Sequence, residues 1–348
     1  MQQTIIGWDI GGAHLKAAQV NDNATVMAVY LQSCPLWEGL EYLQQAVNNI
    51  LETLPPANYH HVITMTGELV DLFASRDEGV AQIIAAMQNY LSDDDLLIYT
   101  GQQGFLHASE VKQRHYPEIA SANWLASASF SAQAVTHALF VDIGSTTTDI
   151  LLCRNNSVIA QGLTDYQRLQ SQELVYTGIV RTAVMAVSQS AFFKGQTIGL
   201  MAEYFATMAD VYRLTDDLNE IHDKTDTADG KEKTPLASAR RLSRMIGYDF
   251  KAEDLALWQQ FALTLKSQQQ QQIKTACQRQ LSRVLTEENT YVIGAGIGRF
   301  LIKQIAADLD LPYKDFSDLF KAEFNDSQIS IADCAPAVAV ACLGMKIN

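Results

Sequence analysis

The stretch Val141-Asp142-Ile143-Gly144-Ser145-Thr146-Thr147-Thr148-Asp149-Ile150 concentrates groups suited to holding an anion. Gly144 lets the backbone approach a ligand closely, and the turn amides can point at phosphate. Ser145, Thr146 and Thr147 add hydroxyl donors. Asp142 and Asp149 would repel a phosphate and suit a Mg²⁺ ion or its waters instead. Apolar residues 138–141 and 150–152 flank this core, so the stretch reads as strand, tight turn and strand. A buried hairpin has no reason to carry so many polar atoms at its tip unless something polar sits there. The plainer reading is a glycine-turn hairpin with solvated threonines.

The same grammar occurs about 130 residues earlier, in Thr4-Ile5-Ile6-Gly7-Trp8-Asp9-Ile10-Gly11-Gly12-Ala13-His14-Leu15-Lys16-Ala17-Ala18-Gln19-Val20. One Asp-x-Gly turn is weak evidence. A matched pair, each between strands, points to two related half-domains. Lys16 on the outgoing strand could reach a phosphate as a point charge, or be an exposed strand lysine. His14 could contact phosphate, though such a histidine is more often packed. A third glycine-rich turn, Gly294-Ala295-Gly296-Ile297-Gly298, joins an apolar strand to a helix. Its amides and helix N-terminus could face phosphate or ribose, a pattern many nucleotide folds share.

The chain of 348 residues suits two domains, and 48% hydrophobic with 18% charged residues is ordinary for a globular protein. A net charge of -14 disfavours nucleic acid and anionic membrane as partners. The five cysteines are odd in number and lack CxxC spacing, which argues against a disulfide framework or zinc site and for a reducing cytoplasm. No signal peptide and no bilayer-length apolar run is visible.

Apolar spacing predicts helices over 39–52 and 77–92, strands over 61–66 and 96–100, and a close-packed helix within 118–137. Ligands of open α/β sheets gather at the carboxyl ends of strands, which makes Thr66 and Glu68 site candidates. Residues 155–156 read as a turn. Arg168 and Glu173 precede the polar loop Tyr176-Thr177-Gly178, and Arg181 follows it, a fork for phosphate or carboxylate or a surface ion pair. Residues 202–212 read as a helix carrying polar groups. Residues 214–235 lose periodicity and hold many carboxylates. They suggest a carboxylate-lined lid or metal loop, or a solvated acidic loop, with Asp210, Asp226 and Asp229 as the members to test. Helices are expected over 236–247 and 254–285, with the Gln268–Gln272 run as an exposed helix face. Residues 335–343 predict a small-residue helix able to pack closely at a domain junction.

The two Asp-Gly hairpins, the late Gly-Ala-Gly turn and the Ala-rich C-terminal helix resemble the superfamily of actin, hexokinase, acetate kinase and heat-shock ATPases. There the hairpins are phosphate loops and the late turn meets adenosine. The second hairpin is most similar to the hydantoinase/oxoprolinase branch, departing at Ser145 from the usual two consecutive glycines. The resemblance implies a duplicated α/β, actin-like (ribonuclease H-like) fold of two domains with a cleft between them, residues 1–134 with 335–348 and residues 135–334.

A narrower likeness covers nearly the whole chain. Met65-Thr66-Gly67-Glu68-Leu69, Glu173-Leu174-Val175-Tyr176-Thr177-Gly178, residues 202–212 and Thr227-Ala228-Asp229-Gly230 resemble a small family linked to one-carbon metabolism. It occurs in methanogens and in methylotrophs that use tetrahydromethanopterin. Its archaeal members are kinase-like in fold yet assigned a condensation in methanofuran biosynthesis. There an aminomethylfuran methyl diphosphate joins the phenol of γ-glutamyltyramine and diphosphate leaves. On that chemistry Gly11, Gly12, Gly144, Ser145, Thr146, Thr147 and Lys16 would hold diphosphate and Asp9 and Asp142 Mg²⁺. Glu68 or Asp210 would take the phenolic proton. The competing readings are an ATP-dependent small-molecule kinase, with ATP at Gly294-Ala295-Gly296, and a non-catalytic nucleotide-switch regulator. Partners are then small molecules, a diphosphate and a phenolic amine, and a homodimer is compatible with each reading.

Overall fold

The computed structural model describes residues 4–91, 96–284, 289–324 and 328–345. The chain runs through β1 (Thr4–Ile10), β2 (His14–Val20), β3 (Thr25–Ser33), α1 (Leu40–Leu51), β4 (Tyr59–Met65), α2 (Arg76–Tyr90), β5 (Leu96–Tyr99), β6 (Phe105–His107), α3 (Tyr116–Ile119) and α4 (Asn123–Ala134). It continues through β7 (His137–Ile143), β8 (Thr148–Arg154), β9 (Ser157–Val158), α5 (Asp165–Ser171), β10 (Leu174–Val175), α6 (Val184–Val187), β11 (Ser190–Phe193), β12 (Gln196–Gly199), α7 (Met208–Leu214) and α8 (Pro235–Met245). The last elements are α9 (Leu255–Leu281), β13 (Tyr291–Ala295), α10 (Arg299–Asp308), β14 (Tyr313–Asp315), β15 (Lys321–Ala322) and α11 (Ala335–Gly344). The expected ends at residue 92, Leu285 and residue 348 lie outside the described residues.

Each Asp-Gly hairpin stands at the centre of a sheet. The first sheet has the order β15-β3-β2-β1-β4-β5-β6, and the second β10-β8-β7-β13-β14 with β9 beside β8. β1, β2 and β3 form an antiparallel meander, and β4 then returns parallel to β1. Hairpin partner on one side and crossover strand on the other is the order of the duplicated actin-like α/β fold, and it occurs twice. Packing divides the chain into two compact units. One holds residues 1–140, 151–168 and 314–348, the other residues 141–150 and 169–313.

In the first unit, alternation along β1 sends Ile6, Trp8 and Ile10 to one face. There they meet Leu43, Val47 and Ile50 of α1 and Val80, Ile83 and Met87 of α2 in one core cluster. The other face packs on α11, all of whose residues are buried. Close approach depends on Gly7: a Cβ there would lie 2.2 Å from the Ala337 carbonyl oxygen. The expected small-residue helix is therefore the cover of β1 and β4, beside α4.

The structure differs from the sequence reading in three places. The helix expected within 118–137 is interrupted, because Ser121 sits at φ 51° and α4 starts only after it. The helix expected over 202–212 is confined to α7, capped by Thr207, whose amide bonds the side chain of Asp210. The β11–β12 hairpin was not foreseen. Lys194 and Gly195, both at positive φ, make its tip, and Phe193 anchors it against Trp258 and Phe261. Among the described residues no helix is long and apolar enough to cross a membrane.

Gly7→Ala forces backbone and methyl into contact at the β1–α11 interface. It is expected to lose about 1–3 kcal/mol of stability, as overpacked cores do, read as a lower urea midpoint at unchanged m-value.

Candidate functional site

The two hairpin tips share the backbone hydrogen bond that closes them. In the first, the Gly11 amide donates to the His14 carbonyl at 3.0 Å; in the second, the Gly144 amide donates to the Thr147 carbonyl at 2.9 Å. Neighbouring chain then ties down the outer carbonyls. Leu36 and Cys34 donate to Gly12 and Ala13, while Ile179 donates to Gly144 and both Val180 and Arg181 donate to Ser145. The amides of Gly12 and Ala13, and of Ser145 and Thr146, meet no acceptor among the described residues. Two adjacent amides with their carbonyls held back form a concavity suited to an anion. The hydroxyls of Ser145 and Thr146 lie 3.4 Å apart on the second tip.

The strand beside each tip repeats the pattern. Thr66 donates its amide to Ile10 at 2.9 Å and Gly298 donates its amide to Ile143 at 2.9 Å. Gly67 and Gly296 each lie close against one of these two accepting carbonyls, a Cβ on Gly296 coming within 2.3 Å of that of Ile143. A Cβ on Gly67 would lie 3.2 Å from the Ile10 carbonyl, and one on Gly296 would lie 2.2 Å from Asp142 Oδ1. Gly296 also has φ 78°, which a side chain adopts poorly. The Gly294-Ala295-Gly296 turn is therefore pressed against Asp142 and the foot of the second tip, and the ring of Tyr313 lies over Gly294. The segment Thr177-Gly178 backs the second tip from another side. A Cβ on Gly178 would fill the space 2.5 Å from the Thr146 amide nitrogen.

Asp9, next to last in β1, is buried and accepts a hydrogen bond from Asn123 Nδ2 at 3.2 Å. Lys16, the third residue of β2, faces it across the hairpin in the β1–β2 register. His14 is half-buried at the start of β2. Asp142 stands at the end of β7 in the matching place to Asp9. Among the described residues no three His, Cys, Asp or Glu side chains gather as metal ligands. Magnesium usually takes only one or two carboxylates and fills its remaining positions with water and substrate phosphate. A single aspartate at the foot of each phosphate-type loop fits that mode.

Glu68 follows β4 directly, beside the first tip, and is 1% exposed. Gly79 allows this position, since a Cβ there would strike the Glu68 backbone at 2.5 Å. Ser121 Oγ donates to Glu68 Oε1 at 2.6 Å, while Oε2 has no hydrogen-bond partner among the described residues. Burial raises the carboxyl above its ordinary value of 4.5, against the opposing pull of the Ser121 hydrogen bond and the Arg76 charge. Arg76 is itself paired with Asp165 at 2.5 Å. A buried carboxylate with one bare oxygen and raised proton affinity has the makings of a general base.

Asp210 is placed differently. Its Oδ1 accepts from Ser238 and Arg241, each at 2.7 Å, and its Oδ2 accepts from the Thr207 amide at 3.1 Å. Burial opposes its ionisation, and Arg241 and Ser238 oppose that effect in turn. The residues after it extend the network. Arg213 binds Glu220 and Asp223, Lys233 binds Asp223, and Arg241 with Arg244 grips Asp229. Partial burial works against Asp229, yet the two guanidinium groups hold it below the usual carboxylate range. Within residues 214–235, Asp217 pairs with Lys266, Glu220 and Asp223 with Arg213, and Asp229 with Arg241 and Arg244, while Asp216, Asp226 and Glu232 are exposed. From sequence the segment suggests a carboxylate-lined lid or metal loop, or a solvated acidic loop.

Other expected residues fall into supporting places. Arg168 is buried with its guanidinium 4.0 Å from the centre of the Trp124 ring. Glu173 is buried between Ser171 and Arg283. The Arg181 amide helps hold Ser145, and its side chain is exposed. One residue was missed. Gln269, fully buried within the glutamine run, donates to Thr177 Oγ1 at 2.7 Å and to the Gly178 carbonyl at 2.9 Å, and accepts from the Tyr212 hydroxyl. It fixes the segment that backs the second tip. The available signal was helical phase: 269 lies in register with buried Ala262, Leu265, Ile273, Ala276 and Gln280.

With this geometry in hand, comparisons are informative. The hydantoinase/oxoprolinase family model matches residues 60–316. A protein of Methanocaldococcus jannaschii named (4-{4-[2-(gamma-L-glutamylamino)ethyl]phenoxymethyl}furan-2-yl)methanamine synthase is 31% identical over 251 residues, 72% of this chain and 73% of that protein. The Methanococcus vannielii protein of the same name is 35% identical over 111 residues, 32% of this chain and 50% of that one. The nucleotide-free structure of an acetone carboxylase shares the fold, with TM-score 0.55 at 9% identity over 99% of this chain and 70% of the other.

Two measurements check the electrostatics. Because the folded pKa of Glu68 is raised, its protonation stabilises the fold fully below pH 4.5, and that contribution is lost as pH rises through the folded value. Glu68→Gln should therefore melt above the parent protein at pH 8, with the gap closing toward pH 4. Arg241→Ala leaves buried Asp210 with Arg213, 3.6 Å away, as its remaining cation, and should cost about 1.5–3 kcal/mol in urea denaturation, the worth of a hydrogen bond to a charged group.

Proposed function

Because the chain belongs to the hydantoinase/oxoprolinase family, we propose that it is a transferase of methanofuran biosynthesis with the activity for which its relatives are named. It joins an aminomethylfuran methyl diphosphate to the phenol of a γ-glutamyltyramine-like acceptor. The phenolic oxygen bonds to the furfuryl methylene. The bond from that carbon to diphosphate breaks, and its electron pair leaves with the diphosphate. The phenolic proton passes to the Glu68 carboxylate. The observation that carries this reading is the pair of backbone tips, each with two adjacent amides engaged by no described acceptor.

The residues divide the work. In the first unit Gly12 and Ala13 offer amides to an anionic phosphate group and Lys16 adds a positive charge; in the second, Ser145 and Thr146 offer theirs. Beside its own tip, Asp9 in one unit and Asp142 in the other is the carboxylate that would hold Mg²⁺, whose chemistry is to neutralise charge growing on a departing diphosphate. A furfuryl carbon carries positive charge well, so bond breaking can run ahead of attack. Glu68 suits proton acceptance better than Asp210, since the oxygens of Asp210 already accept from Ser238, Arg241 and the Thr207 amide.

The test is incubation with the furan diphosphate and a phenolic amine, with and without ATP. Ether formation with stoichiometric diphosphate release in the absence of ATP is the expected result. Phosphate transfer from ATP to a small molecule would overturn it in favour of a kinase. Glu68→Gln should lower kcat by about 10²–10⁴-fold, the usual contribution of a positioned base.

A further inference from the structure

Ser121 is a serine at φ 51°, a left-handed conformation that non-glycine residues adopt at a cost and keep where the surroundings dictate it. It is buried, and its hydroxyl is spent on one contact, the 2.6 Å bond to Glu68 Oε1. Two residues later Asn123 donates to Asp9. The same short turn at the entrance to α4 thus reaches two acids flanking the first hairpin tip. Nothing in the packing of α4 requires this serine, because Gly or Asn would meet the backbone angle with less strain.

We propose that Ser121 is a positioning residue for Glu68: by donating to Oε1 it fixes the carboxylate rotamer and leaves Oε2 as the oxygen that meets the acceptor's phenolic proton. This rests on the reading of Glu68 as the proton acceptor. The other charged groups that bear on Glu68 are Arg76 on α2 and Asp165 on α5. They are bonded to each other, and their effects on Glu68 oppose one another. Beside the Glu68 backbone amide, the Ser121 hydroxyl is the neighbouring side chain that can both orient this carboxylate and favour its ionised form. The strained backbone is what aims the hydroxyl at it.

The experiment compares Ser121→Gly with Ser121→Ala. Both remove the hydroxyl; glycine relieves the backbone strain and alanine keeps it, so the pair separates chemistry from folding. Each is expected to lower kcat about tenfold, in the range seen when a supporting hydrogen bond is removed, with KM within about threefold. The acidic limb of kcat/KM should move to higher pH in both. The titration of Glu68 is followed in parallel by carboxyl carbon NMR, with Glu68→Gln identifying its signal. A midpoint that rises together with the kinetic limb supports the proposal. A midpoint that stays in place in Ser121→Gly overturns it. A midpoint that rises while the kinetic limb stays put supports the contact between Ser121 and Glu68 but removes Glu68 from the proton-transfer role.

Discussion

A glycine amide bonded to the carbonyl three residues ahead sets up both halves of this protein. That bond turns the strand back on itself within its own hairpin, at Gly11 and again at Gly144. It also consumes the carbonyl that would otherwise compete for the amides in between. Neighbouring segments then hold the carbonyls of Gly12 and Ala13 in one tip and of Gly144 and Ser145 in the other. In a chain with net charge -14, this is how an anion can be attracted without a basic surface. The glycines at 67, 178 and 296 serve the same end, since side chains there would collide with the tips or their supports.

The second unit spends its charges otherwise. Asp210, Asp223 and Asp229 meet Arg213, Arg241, Arg244 and Lys233 in one connected network around α7 and α8. Buried ion pairs of this kind add little net stability compared with apolar packing, yet breaking one leaves an unpaired charge. Their effect here is to fix where α7 lies. Tyr212 on α7 then bonds to Gln269, which in turn bonds to Thr177 and Gly178.

Much of this was legible in the sequence. The repeated Asp-x-Gly pattern between apolar runs gave both sheet centres, because a strand, a glycine turn and a strand depend on local rules. Helices α1, α2 and α8 followed from apolar spacing and ended within about two residues of expectation, the ordinary uncertainty of helix ends. The acidic segment was not legible, because its partners Arg241 and Arg244 come from a later helix and periodicity carries no pairing information. Asp210 drew attention as a polar residue among apolar ones, which equally describes a helix cap. Ser121 left no trace, since a left-handed serine has no spacing signature. The unpaired oxygen of Glu68 is likewise a fact of three-dimensional packing. Its position after a strand was all the sequence could offer.

The five consecutive glutamines of α9 look like a tract free to lengthen or shorten. Gln269 anchors one side of that tract, and Ile273, Ala276 and Cys277 are buried just beyond it. Adding or losing one glutamine would leave composition nearly unchanged but rotate everything downstream by about 100° about the helix axis. Lys274 and Thr275 would then compete for apolar places. The tract is a spacer of set length, and a copying slip within it would act as a frame error in space rather than in code.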